Sequence, residues 1–166
     1  MSDGTEITIR PIRPEDEPLM VKFHAILSDR TVYMRYFSSL SLTRRTDHER
    51  LTRICHSDYQ TEIVLVAEHQ DEQTAETHIL GVGRLNKLQR QGMGEIAVLV
   101  SDEHEHKGLG TELLRRLIGV AKDMGVSRIV AEMLRDNVTV QTIFKRLGFR
   151  LSLLRDPGHV QAILEL

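Results

Sequence analysis

The chain has 166 residues, 40% of them hydrophobic and 28% charged, with a formal net charge of −2; these are the proportions of one soluble globular domain, residues 1–166, with one substantial core. Interspersed acids and bases exclude the concentrated positive charge that nucleic-acid binding needs, and Arg44-Arg45, the compact basic pair outside a helix, reads as a solvated loop. No apolar run approaches the ~20 residues of a membrane span, no basic-then-apolar leader opens the chain, and the lone Cys55 excludes an internal disulfide and reads as a structural thiol. The expected location is the cytoplasm.

In chain order, Glu6-Ile7-Thr8-Ile9-Arg10 alternates polar and apolar residues and predicts a first strand, ended by Pro11 and Pro14. Pro14-Glu15-Asp16-Glu17 then opens a helix, with proline suited to a first turn and acids to the positive end of the dipole. Leu19, Met20, Phe23, Ile26 and Leu27 carry it on at helical spacing. Residues 30–37 read as short helical or irregular structure, and residues 46–54 as a helix capped by Thr46 or Asp47. Residues 62–68, rich in β-branched side chains, predict a buried strand. The polar stretch 70–77 is a hairpin turn, and residues 79–85 return as a strand whose Gly81 and Gly83 suggest a bulge or close backbone approach. After a turn at 89–94, residues 95–100 make a fourth strand.

Residues 109–124 predict an amphipathic helix. Leu113, Leu114, Leu117, Ile118 and Ala121 form one face, Glu112, Arg115 and Arg116 the other, and Gly125 stops it. A fifth strand follows at 128–133. Asn137 caps a helix whose Val140, Ile143, Phe144 and Leu147 recur at helical spacing, and Gly148 closes it. Residues 149–154 and 159–164 are two last strands, the final one exposed near Ile163 and available for pairing between subunits. The fold class is α+β, a mixed sheet with helices on both faces.

The informative junction is strand 95–100, a turn, and helix 109–124. Glu105-His106-Lys107-Gly108-Leu109-Gly110-Thr111 occupies the turn. A helix start leaves about four backbone N–H groups unpaired, and with the dipole they make an anion site. Gly108 and Gly110 keep side chains away from that backbone, and Lys107 adds positive charge. The same glycines also suit a tight connection with no ligand. No Lys-Ser/Thr follows the second glycine, so this is not a Walker loop, and Leu113 stands where a dinucleotide fingerprint requires glycine. His104-x-His106 has ligand-like spacing without a third partner nearby, so no metal is expected.

Strand, turn and helix resemble the acyl-CoA site of the GNAT superfamily of N-acetyltransferases, whose turn reads Gln/Arg-x-x-Gly-x-Gly/Ala. The order of elements matches that fold along nearly the whole chain. The late helix also matches its Asn-x-x-x-x-x-x-Tyr-x-x-x-Gly-Phe pattern from Asn137 to Phe149, apart from the tyrosine. Ile9-Arg10-Pro11-Ile12-Arg13-Pro14-Glu15-Asp16-Glu17, Arg35-Tyr36-Phe37 and Asp58-Tyr59 are similar to the catalytic domain of bacterial Pat-type protein lysine acetyltransferases. In many of those enzymes that domain is fused to an acyl-CoA-synthetase-like region; here the chain starts just before the first strand, and no such fusion is expected.

The resemblance implies acetyl-CoA as co-substrate and direct transfer to an amine. It places the pantetheine arm on Val98 and Val100, with Val98 also a donor to the attacked carbonyl. It places the pyrophosphate on the amides of Lys107, Gly108, Gly110 and Thr111. Glu95 is implied as general base, with partial burial expected to raise its pKa; without the resemblance it reads as a strand-end acid. Asn137 is a helix cap near the pantetheine arm, and Phe144, standing where many relatives carry an acidic tyrosine, packs beside the coenzyme. Tyr33, Arg35, Tyr36 and Phe37 are implied to line the acceptor channel. The implied acceptor is a protein lysine, with a small-molecule or peptide amine as the alternative, and the protein a monomer or homodimer. Glu105 and His106 depart from the turn pattern; with Phe144 they leave open an acyl-CoA-binding sensor without turnover.

Overall fold

The computed structural model describes residues 1–166. The chain runs β1 (Thr8–Pro11), a 3-10 turn (Pro14–Asp16), α1 (Glu17–Ala25), α2 (Asp29–Tyr36), α3 (Leu42–Arg45), α4 (His48–Cys55), β2 (Glu62–Gln70), β3 (Thr77–Lys87) and β4 (Met93–Val100). A second 3-10 turn (Asp102–His104) leads to α5 (Leu109–Asp123), β5 (Arg128–Leu134), α6 (Val138–Arg146), β6 (Arg150–Leu153) and β7 (His159–Glu165). The strands form one sheet in the order β1-β2-β3-β4-β5-β7-β6. All neighbours are antiparallel except β4 and β5.

Each face of the sheet carries its own apolar cluster. On one, Leu113, Leu114, Leu117 and Ala121 of α5 pack against Leu85, Ile96, Ile129 and Phe144, and all four α5 residues are fully buried. Burying each of the leucines is worth about 1.5–3 kcal/mol. The opposite side of α5 keeps Glu112 in water, where it pairs with Arg115 at 2.8 Å and Arg116 at 3.0 Å. On the other face, Met20 and Phe23 of α1 and Leu51 and Cys55 of α4 pack against Val64, Val66 and Leu99. The Cys55 thiol is buried, and that burial pushes its pKa up to about 11, in keeping with a structural thiol.

Between β2 and β3 the register shifts by one residue between Ala67 and Glu68, passing over Leu80 beside Gly81. The irregularity expected from the strand glycines falls there. At the sheet edge, Arg10 reaches both Asp16 oxygens at 2.7 Å and Glu68 at 2.8 Å, while the Arg13 amide donates to Asp16 at 2.7 Å. Burial pushes the Asp16 pKa up, but Arg10 and the Arg13 amide outweigh it and hold it below the usual value.

Residues 30–37, read as short helical or irregular structure, are helical as far as Tyr36 in α2, which starts where the Ser28 hydroxyl accepts the Thr31 amide and ends at Phe37 with φ 61°. The helix expected over residues 46–54 is α4, capped by Asp47, and the short α3, capped by Ser41, precedes it. Two readings from sequence need correction. Arg45 is buried rather than solvated, donating to the carbonyls of Leu40 at 3.0 Å and His24 at 2.9 Å. Finally, Ile163 is not on a free edge. It faces Val130 of β5 on one side and Arg150 of β6 on the other, because the last strand inserts between its predecessors.

Candidate functional site

The site is built where the sheet divides. β4 pairs with β5 only over Met93–Glu95 against Arg128–Val130; beyond that point β5 runs on with β7 alone. The Leu88 amide donates to the Met93 carbonyl and the Ser101 amide to the Leu80 carbonyl, each at 2.9 Å. Odd-numbered residues of β4 therefore turn their main-chain groups towards β3, and alternation turns those of Ile96, Val98 and Val100 towards β5. Past Glu95 there is no strand to receive them. Unpaired main chain of this kind calls for a partner. A cleft of about 580 Å³ opens along it, bordered by Val98, Val100, Ala131, Met133, Ile143 and Phe144.

The turn closes one end of this cleft. His106 has φ 61° and Gly108 φ 85°, both left-handed. The first helical hydrogen bond of α5 runs from the Glu112 amide to the Gly108 carbonyl at 3.1 Å. Leu109, Gly110 and Thr111 are thus left as amides without helical acceptors, and Gly108, Gly110 and Thr111 border the cleft. A Cβ at 108 would meet nothing within 4 Å, so that glycine is required by conformation and not by space.

One charged side chain of the turn behaves differently from expectation. The Lys107 ammonium is not in the cleft wall; it pairs with Asp3 at 3.0 Å, and the Lys107 carbonyl accepts the Ser2 amide at 3.0 Å. Glu105 does border the cleft, 3.5 Å from the Thr31 hydroxyl. Burial and the neighbouring Asp102 carboxylate push its pKa up. Asp102 itself accepts from the Ser28 amide at 2.8 Å, the Ser28 hydroxyl at 2.7 Å and the Thr31 hydroxyl, so it clamps the start of α2 to the turn. Although burial opposes it, those donors keep Asp102 below the usual carboxylate range. His104 Nδ1 lies 2.7 Å from the Ser101 hydroxyl, and burial, then Lys107, lowers its pKa.

The opposite face of the division carries Glu95. It is the last β4 residue paired with β5, and alternation puts it with Leu99 on the α1–α4 side. Its side chain is exposed rather than partly buried, because the strands begin to part at this residue. Nearby, the Arg35 guanidinium borders the cleft. Burial pulls its pKa down; Arg84 and Arg50 add to that, and Tyr36 and Glu95 oppose it. The Tyr36 ring receives Arg35 at 5.0 Å and Arg50 at 5.4 Å from its centroid. Tyr33 is exposed, and Phe37 packs on the His159 ring at 4.8 Å.

The remaining wall comes from α6. Asn137 accepts the Val140 amide at 3.4 Å and is the cap expected of it. Phe144 is buried, edge-on to Phe149 at 4.8 Å, and presents no hydroxyl to the cleft. One residue pair escaped the sequence reading. Glu132 borders the cleft, and its carboxylate lies 2.5 Å from His159 Nδ1. Strand alternation alone puts Glu132 on the polar face, but the β5–β7 pairing that brings His159 beside it is non-local and leaves no mark in a short window.

A sheet parted between two parallel strands, with bare main chain along the gap, helix-start amides at one end and a carboxylate at the fork, is a setting that fits an extended, anionic ligand. Comparison with known proteins agrees. The chain belongs to the acetyltransferase (GNAT) domain family, whose model matches residues 6–150, and is an acetyl-CoA-dependent N-acetyltransferase of that family. It is 29% identical over 150 residues to the acetyltransferase PA5475 of Pseudomonas aeruginosa, covering 90% of this chain and 77% of that one. It is 28% identical over 145 residues to the acetyltransferase Pat of Mycolicibacterium smegmatis, covering 87% of this chain but only 41% of Pat. The crystal structure of the GNAT domain of S. lividans PAT superposes with a TM-score of 0.85 at 24% identity, over 99% of this chain and 93% of that domain.

Proposed function

We propose that this domain transfers an acetyl group from acetyl-CoA directly to a primary amine, and that the amine is a protein lysine side chain. The observation that carries the reading is the unpaired length of β4 beyond Glu95, ending at the bare amides of α5. The main chain of Val98 and Val100 pairs with the pantetheine arm as an additional strand would. The amides of Lys107, Gly108, Gly110 and Thr111 take the pyrophosphate. The apolar floor, with Phe144 in it, excludes water from the arm. The resemblance of residues 9–17, Arg35-Tyr36-Phe37 and Asp58-Tyr59 to Pat-type protein lysine acetyltransferases supports lysine as acceptor.

A lysine with pKa ~10.4 is neutral in only about one molecule in a thousand at pH 7.4. Glu95, at the fork and open to solvent, accepts the proton directly or through a water. The neutral nitrogen attacks the thioester carbonyl, whose developing negative charge is met by the Val98 amide. The C–N bond formed is kept as the C–S bond breaks; a thiol of pKa ~8.5 leaves as thiolate without an acid at position 144, and the extra proton on the nitrogen passes to that thiolate or to water.

The test is thiol release from acetyl-CoA over a panel of proteins, peptides and small amines, with coenzyme A binding measured in parallel. Glu95→Gln should lower kcat about a hundredfold or more while coenzyme A binds as before. Binding without turnover for every acceptor, unaffected by Glu95→Gln, would make the domain an acyl-CoA sensor instead. Turnover confined to small amines or peptide α-amines would replace the lysine acceptor.

A further inference from the structure

The acceptor side of the fork carries a second carboxylate, which the chemistry above does not use. Along β5, Ile129, Ala131 and Met133 enter the core beneath α5 and α6, and along β7 Val160 and Ala162 do the same. Alternation therefore sends Glu132 and His159 to the opposite face, the one that carries Glu95. Glu132 stands two residues past Val130, the last β5 partner of β4, and borders the cleft that opens there.

Its setting is a built one. The 2.5 Å contact with His159 Nδ1 holds one oxygen of Glu132, and no other side chain or amide bonds to its carboxylate. The His159 ring is steadied by Phe37 at the end of α2, 4.8 Å away, and its Nε2 lies 3.9 Å from Asp156. His159 is 22% exposed and Glu132 46%, so the pair is oriented from behind and open in front. The other carboxylates of the cleft wall, Asp102 and Glu105, lie at the turn, and Asp102 is already satisfied by α2.

An incoming ammonium meets a difficulty here. Arg35 borders the same cleft and repels it. Glu95, exposed and not held by a neighbour, gives little to offset that, since pairing would cost it side-chain entropy. A second carboxylate, held in place by a histidine, restores the balance and fixes the direction of approach.

We propose that Glu132, oriented by His159, is the docking group for the acceptor's cationic amine, and that the pair selects acceptors bearing a primary ammonium on a flexible alkyl stem. This rests on the acetyl-transfer reading. It assigns Glu132 to acceptor binding and leaves proton removal to Glu95.

The test titrates n-butylammonium chloride into coenzyme A-loaded protein, followed by NMR of the histidine ring protons and by calorimetry. Glu132→Gln should weaken binding severalfold, since a solvent-screened ion pair is lost. His159→Asn, which frees the carboxylate without removing it, should fall between that variant and wild type. Glu95→Gln should bind butylammonium like wild type while losing turnover. In kinetics with a lysine peptide, Glu132→Gln should raise the acceptor KM and leave the acetyl-CoA KM unchanged. Equal butylammonium affinity in wild type and Glu132→Gln, or no measurable affinity in wild type, overturns the proposal. Glu132-dependent binding in a protein that acetylates no amine would sustain it and count against the acetyl-transfer reading alone.

Discussion

Replacing Gly108 by alanine separates conformation from space at the turn. Its φ of 85° is a backbone state that costs an L-residue roughly 1–2 kcal/mol. Alanine also restricts the unfolded chain, which returns about 0.4–1 kcal/mol. No steric term applies, because a Cβ there meets nothing within 4 Å. The net is a loss of about 1 kcal/mol, or roughly 2–4 °C in Tm for a domain of this size. Any relief of the strain rotates the amides of residues 108–111, so coenzyme A affinity should fall about tenfold, on the order of one charge-assisted hydrogen bond.

Gly110→Ala is the internal control. Its Cβ would sit 3.7 Å from Val100 and 3.9 Å from Ile143, ordinary contacts. Position 110 lies in the first turn of α5, where alanine is the better helix former by about 0.5 kcal/mol. This variant should melt slightly higher and keep its affinity within about threefold, a shift of well under 1 kcal/mol. Thermal melts and calorimetric titration with coenzyme A measure both. The reasoning fails if Gly108→Ala matches wild type in melting and binding, or if Gly110→Ala is the more damaged of the two.

Two further outcomes follow from the charges. Glu105→Gln removes a carboxylate from the cleft wall and should tighten coenzyme A binding severalfold at low salt, about 1 kcal/mol after solvent screening; the gain should shrink in 0.3 M KCl, and an unchanged affinity at low salt would remove the repulsion argument. Asp16→Asn breaks a buried pair with Arg10 and should cost about 2–4 kcal/mol in urea unfolding at pH 7, Glu68 retaining part of the interaction. Because the folded Asp16 pKa is lowered, its contribution is fully present above the unfolded value of ~3.9 and is lost as pH falls through the folded one. The difference between wild type and Asp16→Asn should therefore be flat above about pH 5 and shrink below about pH 4; a difference undiminished from about pH 5 to about pH 3 would contradict this.

What could be read from the sequence was what is local. The leucine face of α5, the Asn137 cap and the glycines of the turn each declare themselves within a dozen residues, and all stand where they were expected. The parting of β4 from β5 came from family resemblance, and the structure gives its physical form, three paired residues and then none. What escaped depends on distant chain. Arg45 is buried because carbonyls of Leu40 and His24 need donors, and nothing near Arg44-Arg45 announces that. Ile163 is interior because β7 returns between β5 and β6. The same return brings His159 to Glu132, 27 residues away. The Lys107 ammonium, read as added positive charge for the anion, pairs with Asp3 in a segment with no pattern of its own.

The most direct measurement is a crystal structure of the protein grown with coenzyme A. The account predicts pantetheine density alongside Val98 and Val100, diphosphate within hydrogen-bonding distance of the amides at 107–111, and sulfur near the fork beside Glu95. Coenzyme A bound elsewhere, or a gap between β4 and β5 that closes by strand pairing while millimolar coenzyme A stays in solution, would contradict it.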